Sequence, residues 1–351
     1  MAILTADHIS IRAIAACVPQ HEEHNRDYTL LTESERELLI KTTGIEKKRV
    51  AGEHLCTSDM CLAAANAIIE KLHINRNEID VLIFVSQTLD YFLPATGIIL
   101  QHRLGLPKTT AAFDIVLGCS GYVYGLSVIS SMMSSGKFKK GLLLVGDKST
   151  FSLSKQDKST YPLFGDAGTA TYIEYDEKAM PIDFNLQSDG EGYDAIMIPD
   201  GGTRSRWNEK TDVMVEYEKG IVRSKRNLWL DGLKVFNFSL REAPPNVAEL
   251  LKYKNATVED YDYFIFHQAN KLMNESIRKK LKIPPEKVPY SINRFGNTSS
   301  GSIPLTIVTE LQHKSGQPIN LLLSAFGVGL SWGSASLTQA KIEILPLIET
   351  E

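Results

Sequence analysis

Cys119, His267 and Asn297 are the residues of this sequence whose types and surroundings could do nucleophilic chemistry. Cys119 lies in Gly118-Cys-Ser-Gly121, between a strand-like run over 113–117 and a helical pattern that reaches about Ser135 and stops at Gly136. A thiol at a helix N-terminus meets free N–H groups and the positive end of the helix dipole, which favour the nucleophilic thiolate. His267 follows the apolar strand 263–266 and opens the polar run Gln268-Ala-Asn270, so it stands at a strand's carboxyl end, where α/β folds place their ligands. Asn297, within Phe295-Gly-Asn-Thr-Ser-Ser-Gly301, reads as part of a strand-to-helix turn. Taken alone, each has a plainer explanation: a buried inert thiol, a satisfied structural imidazole, a helix cap.

The elements that must position them alternate along the chain. A helix around 62–72 precedes the buried strand Val81–Val85, and the alternation continues, which argues for an α/β fold. Three segments recur in order: Asp80-Val-Leu-Ile-Phe84 with Asp262-Tyr-Phe-Ile-Phe266, Gly118-Cys-Ser-Gly121 with Thr298-Ser-Ser-Gly301, and Leu142-Leu-Leu144 with Leu321-Leu-Leu323. Their offsets are 182, 180 and 179 residues. Near-constant offsets predict two copies of one α/β unit, 1–178 and 179–351, which leaves Cys119 in the first and His267 and Asn297 in the second. Packing the copies together brings all three to one central site.

Other patterns carry less. Ala325-Phe-Gly-Val-Gly-Leu-Ser-Trp-Gly333 lacks the strand–helix context of a nucleotide-binding turn and reads better as a tight loop aiming main-chain N–H groups at an oxyanion. His21-Glu-Glu-His24 has no further metal ligands nearby and reads as solvated loop; no metal site is expected. Cys17, Cys56, Cys61 and Cys119 lack zinc spacing and are too few for a disulfide scaffold, so free thiols of a cytoplasmic protein are expected. A net charge of −4 offers no global reason to bind nucleic acid. With 43% hydrophobic and 23% charged residues, and no apolar run near the roughly 20 residues a bilayer requires, neither disorder nor a membrane span is expected. The first residues interrupt their apolar pattern with charges, which does not fit a signal peptide.

The sequence resembles the beta-ketoacyl-acyl-carrier-protein synthase III family over nearly its whole length. The landmarks are Thr43-Gly-Ile45, Phe113-Asp114, Gly118-Cys119-Ser-Gly121, Phe164-Gly-Asp166, His267-Gln-Ala-Asn270, Gly296-Asn297-Thr-Ser299 and Gly329-Leu-Ser-Trp-Gly333. The resemblance implies a thiolase fold, two pseudo-equivalent halves layered αβαβα, and a decarboxylative Claisen condensation. Cys119 would carry the acyl group, and the N–H groups of Cys119 and Val328 would form one oxyanion hole. His267 and Asn297 would hold the malonyl thioester carbonyl. Leu93, Phe236 and Gly329 would line the substrate pocket, Leu93 near where the family's gating Phe enters the partner subunit of a homodimer. No cofactor is implied, since the substrates are themselves coenzyme A or phosphopantetheine thioesters.

Two departures bear on substrate. The Trp and two Arg with which housekeeping members grip the adenine end of coenzyme A are matched here by Leu38, Thr42 and Leu272, which favours an acyl-carrier protein or a differently held coenzyme A thioester. The segment 182–227 is longer and more charged than usual in the family. Arg278, Lys279, Lys280 and Lys282, near His267 in sequence, suggest a docking patch for an acidic carrier protein or, more plainly, a solvated helix end. Non-decarboxylating acyl transfer to an alcohol or amine keeps Cys119 but gives Asn297 no task. A hydroxymethylglutaryl-coenzyme A synthase would need a glutamate near Gln87-Thr88, and none is there. A non-catalytic thioester-binding protein would leave Cys119 unacylated.

Overall fold

The computed structural model describes residues 2–351. Its frame consists of strands β1 (Ala2–Ala6), β2 (Ile9–Pro19), β3 (Val81–Val85), β4 (Ala111–Ile115), β5 (Lys140–Lys148), β6 (Asp166–Tyr175), β7 (Ile182–Ser188), β8 (Tyr263–Phe266), β9 (Pro318–Gly327) and β10 (Ser331–Lys341). The helices that matter for the site are α1 (Glu33–Thr43), α2 (Thr57–Lys71), α3 (Thr96–Arg103), α4 (Gly121–Met133), α5 (Gly232–Lys254), α6 (Lys271–Lys280) and α7 (Ser302–Glu310).

Two sheets repeat one pattern. In the first, β2 and β6 run antiparallel, β6 and β5 antiparallel, and β5 and β3 parallel, with β4 at the edge. In the second, β7 and β10 run antiparallel, β10 and β9 antiparallel, and β9 and β8 parallel. The recurring sequence segments occupy matching places: Asp80 and Asp262 precede β3 and β8, the Leu triplets lie in β5 and β9, and the small-residue turns precede α4 and α7. The two aspartates even do the same job. Asp80 accepts from Lys140 N at 3.1 Å and Asp262 from Asn320 N at 2.7 Å, each fixing the start of the neighbouring strand.

Five layers result. One face of the first sheet packs on α2 and α3 through Leu82, Phe84, Leu142 and Leu144. Its other face and the inner face of the second sheet enclose α4 and α7, through Val85, Val145, Ile265 and Leu323. The outer face of the second sheet packs on α5 and α6 through Phe264, Phe266 and Leu322. Helix α4 is buried over most of its surface through Tyr122, Val123, Leu126, Ile129 and Met133, with Ser131 near its end exposed.

The two chain ends cross between the sheets. Strand β1 joins the second sheet beside β7, while Glu343–Ile344 and Ile348–Thr350 return to the first sheet beside β2. Each terminal segment covers an edge that the other half would leave unpaired, and edges with free N–H and C=O groups are costly to leave open. The long segment after β7 makes one small hairpin, Val215–Glu218 with Ile221–Arg223, inside a second antiparallel pair, Ile196–Met197 with Trp229–Leu230, before α5 begins.

Candidate active site

Cys119 sits in the turn before α4, with 8% of its surface exposed. Two glycines make room around this turn. A Cβ on Gly327, at the end of β9, would lie 2.4 Å from Cys119 Cβ and 2.8 Å from Sγ, and one on Gly118 would lie 2.3 Å from Gln87 Oε1 and 2.7 Å from Val328 Cγ1. We therefore expect Gly327→Ala to block thiol chemistry: alkylation of Cys119 by iodoacetamide, followed by peptide mass spectrometry, should fall at least about tenfold as the backbone shifts. A parent-like rate would show that the loop yields freely.

Burial pushes the Cys119 thiol up to about 11, with Asp147 pushing the same way. The N–H groups of Val328 and of Cys119 itself, together with the Ser299 hydroxyl, pull it down. The helix-terminal position thus does not produce a standing thiolate. Among the described residues no cation offsets the loss of water, and desolvation outweighs the local donors. The same two N–H groups are the pair expected to form an oxyanion hole.

His267 continues from β8, its N–H bonded to Ser324 O at 2.8 Å and its carbonyl accepting from Asn274 Nδ2 at 3.0 Å. Ring atom Nδ1 lies 2.7 Å from Ser302 Oγ, and burial lowers the imidazole to about 3, so the ring is neutral at ordinary pH. Gln268 is structural, donating to Phe266 O and accepting from Ser291 N, and Asn270 caps α6 through Met273 N. Asn297 follows a short helix, Ile292–Phe295, rather than the strand expected there, and Gly296 (φ +67°) makes the reversal that a side chain would strain. Its backbone is tied to the Phe164-Gly165 loop: Asn297 N donates to Leu163 O at 2.9 Å and Gly165 N to Asn297 O at 3.1 Å. That loop is anchored by buried Asp166, which accepts from Ala51 N at 2.8 Å and Thr150 N at 3.0 Å.

Ser299 joins the three. Its N–H donates to Asn297 Oδ1 at 2.9 Å, its backbone faces the His267 ring and draws that pKa up, and its hydroxyl draws the Cys119 thiol down. Because a fixed N–H faces Oδ1, the Asn297 amide must turn Nδ2 outward as a donor. Ser299 itself holds φ +49°, an uncommon conformation for a residue with a side chain. The sequence reading passed over Ser299, Ser302 and Asp147. The cue was the polar run 298–302 between apolar segments, and an acid following the apolar run 142–145.

The remaining expected residues scatter. Leu93 is 86% exposed and lines nothing in its own chain. Phe236 packs in the outer core beside Phe238 and Trp332, and Gly329 (φ +141°) turns the loop between Val328 and Ser331. Leu38 and Leu272 are exposed on α1 and α6, which pack together. Arg278 does not belong to a free cationic patch: it forks onto Glu275 and donates to Ile283 O at 2.7 Å. Lys279, Lys280 and Lys282 are exposed, Lys280 reaching Leu240 O. Glu22 and Glu23 of the His21–His24 run are engaged by Lys47, Arg49 and Lys48.

A duplicated five-layer frame with a thiol, an imidazole and an amide converging at its centre defines a thiolase-fold transferase. The solved 3-oxoacyl-(acyl-carrier protein) synthase of Burkholderia xenovorans LB400 matches it with a TM-score of 0.93 and 35% identity over 99% of each chain. The family models described as 3-oxoacyl-[acyl-carrier-protein (ACP)] synthase III and its C-terminal part match residues 113–190 and 251–339. The beta-ketoacyl-[acyl-carrier-protein] synthase III of Sulfurimonas denitrificans is 34% identical over 93% of this chain and 97% of its own, and that of Aliarcobacter butzleri 32% identical over 96% and 99%. The chain belongs to the 3-oxoacyl-[acyl-carrier-protein] synthase III family, and it is an enzyme.

Proposed function

We propose that this enzyme condenses an acyl group held on Cys119 with a malonyl thioester, releasing carbon dioxide and a 3-oxoacyl thioester. The observation that supports the reading is that the Cys119 thiol, packed against Gly327 and drawn on by the N–H groups of Val328 and Cys119, also meets Ser299, which donates to Asn297 Oδ1 and faces the His267 ring. In the first step the Cys119 sulfur attacks the donor carbonyl, whose oxygen turns toward the N–H groups of Cys119 and Val328; the acyl–sulfur bond to Cys119 forms as the donor's own C–S bond breaks, and the departing thiol takes up the proton that Cys119 gives up. In the second, the malonyl carbonyl lies against His267 and Asn297. Neutral donors stabilise the enolate as carbon dioxide departs, and its carbon attacks the waiting acyl group. No cofactor is needed. Transfer to an alcohol or amine would leave the second donor pair with no developing charge to meet. Intact-protein mass spectrometry after exposure to a panel of acyl thioesters, followed by malonyl-carrier protein, tests the scheme: the added mass names the acyl group, and its loss with formation of a 3-oxoacyl product completes it. A protein that takes no acyl group from any thioester is not this enzyme.

The partner we favour is an acyl-carrier protein. Lys279, Lys280 and Lys282 present positive charge at the end of α6, and exposed Leu38 and Leu272 replace the expected coenzyme A grip. Rim charges steer association and are screened over about 8 to 10 Å at physiological salt. Lys279→Glu with Lys280→Glu should raise KM for malonyl-carrier protein at least about threefold at low salt, with kcat and the use of a small pantetheine thioester unchanged. Equal KM values for parent and variant at low salt would place docking elsewhere. We also infer a homodimer, supported by Tyr91, Phe92, Leu93, Ile98 and Val116, all exposed near edge strand β4, which has a neighbour on one side only. In such a dimer Leu93 would reach the partner's acyl pocket.

A further inference from the structure

Asp147, near the end of β5, is 2% exposed and has no cation beside it among the described residues: the neighbouring Lys148 turns its ammonium to the carbonyls of Gly52 and Glu53. Its carboxylate is nevertheless surrounded by donors that come from opposite sides. Oδ1 accepts from Gln87 N at 2.8 Å and Ser86 Oγ at 3.1 Å, at the end of β3. Oδ2 accepts from Ser300 Oγ at 2.7 Å and Ser300 N at 3.2 Å, in the turn that follows Asn297. One main-chain N–H is thus fixed on each oxygen, and a carboxylate accepts from both while an amide cannot. Burial pushes this carboxyl up, opposed by Ser300, Gln87 and Ser299. The ionisable groups facing it are two thiols, Cys119 before α4 and Cys61 on α2.

What the two oxygens hold matters for chemistry. The Gln87 amide lies against Gly118, beside the nucleophile, and Ser300 adjoins Ser299, which touches Cys119, His267 and Asn297. We propose that ionised Asp147 is a positioning residue for the condensation step, a clasp whose two oxygens fix the distance between the Cys119 side of the site and the Asn297 turn. The carbon nucleophile formed at Asn297 must come within about 3 to 3.5 Å of the acyl carbon on Cys119, and small misplacement at that range is costly. Acylation of Cys119 uses the Val328 side and needs no such spacing. The clasp has a second signature, because a buried anion beside Cys119 disfavours its thiolate.

The inference rests on the condensing function proposed above, and its test separates the two. Ser300→Ala removes one hydroxyl and keeps the charge. It should lower kcat for condensation about tenfold, as loss of a hydrogen bond to a charged group does, with acylation of Cys119 within about twofold of the parent. Asp147→Asn must set its NH₂ against one of the two fixed N–H groups. It should lower condensation about 10- to 100-fold and move the pH midpoint of Cys119 alkylation downward, a shift that Ser300→Ala does not produce. Loss of packing alone would alter melting temperature without moving that midpoint downward. If the parent condenses and Ser300→Ala condenses at the same rate, the clasp is refuted. An unshifted alkylation midpoint in folded Asp147→Asn refutes it equally. A parent that acylates but never condenses would instead refute the functional reading.

Discussion

Cys119→Ala leaves a folded protein that takes no acyl group and forms no 3-oxoacyl product, a loss of at least about 1,000-fold in turnover, as expected when a covalent nucleophile is removed. The fold survives because the residue is small, sits in a turn before α4 rather than in a packed layer, and is already crowded by Gly327. The same substitution exposes how the thiol is activated. With the thiol pushed up to about 11, its thiolate fraction should rise about tenfold per pH unit across the neutral range, and alkylation of Cys119 should follow that slope. Cys56 is the half-buried competitor, so the labelled peptide must be identified and the Cys119→Ala protein subtracted. A plateau in Cys119 alkylation near pH 7 would mean that a standing thiolate exists and that burial does not dominate. Condensation by purified Cys119→Ala would remove the nucleophile from the scheme altogether.

Much of this site could be read from residues near each other in the chain. The strand 263–266 was visible as an uninterrupted apolar run, and the polar residues after it marked its carboxyl end because a buried parallel strand shows no other polarity. The apolar surface over most of α4 made its burial readable, and with it the burial of the thiol before it. What depended on distant pairing was not readable. Nothing local tells that Asp147 meets Ser300, 153 residues later, or that the first and last strands cross to the other half's sheet. The balance between helix-terminal donors and desolvation at Cys119 likewise follows from how completely the two halves close over it. Arg278 is different. Glu275 lies three residues before it on the same helix face, so the ion pair that removes Arg278 from the cationic patch was legible from spacing alone.

The two donors on the malonyl side should fail separately from the nucleophile. His267→Ala and Asn297→Ala are each expected to lower malonyl decarboxylation about 100- to 1,000-fold, the range for loss of one preorganised oxyanion donor, while Cys119 is still acylated. On the function proposed above, acylation persists because its oxyanion would be met by the N–H groups of Val328 and Cys119 instead. On the same reading the imidazole acts as a neutral donor. The Ser302 hydroxyl, 2.7 Å from Nδ1, can give its proton to that nitrogen and leave Nε2 as the protonated nitrogen. With burial holding the ring's titration down at about 3, below the 6.5 of a free histidine, the neutral form persists as pH falls through 6.5 and is lost only near 3. Decarboxylation by the acylated enzyme should therefore show no acid limb near 6.5. An inflection there that disappears in His267→Gln would make the imidazole a titrating base rather than a fixed donor, and the assignment of the enolate to His267 and Asn297 would have to be given up.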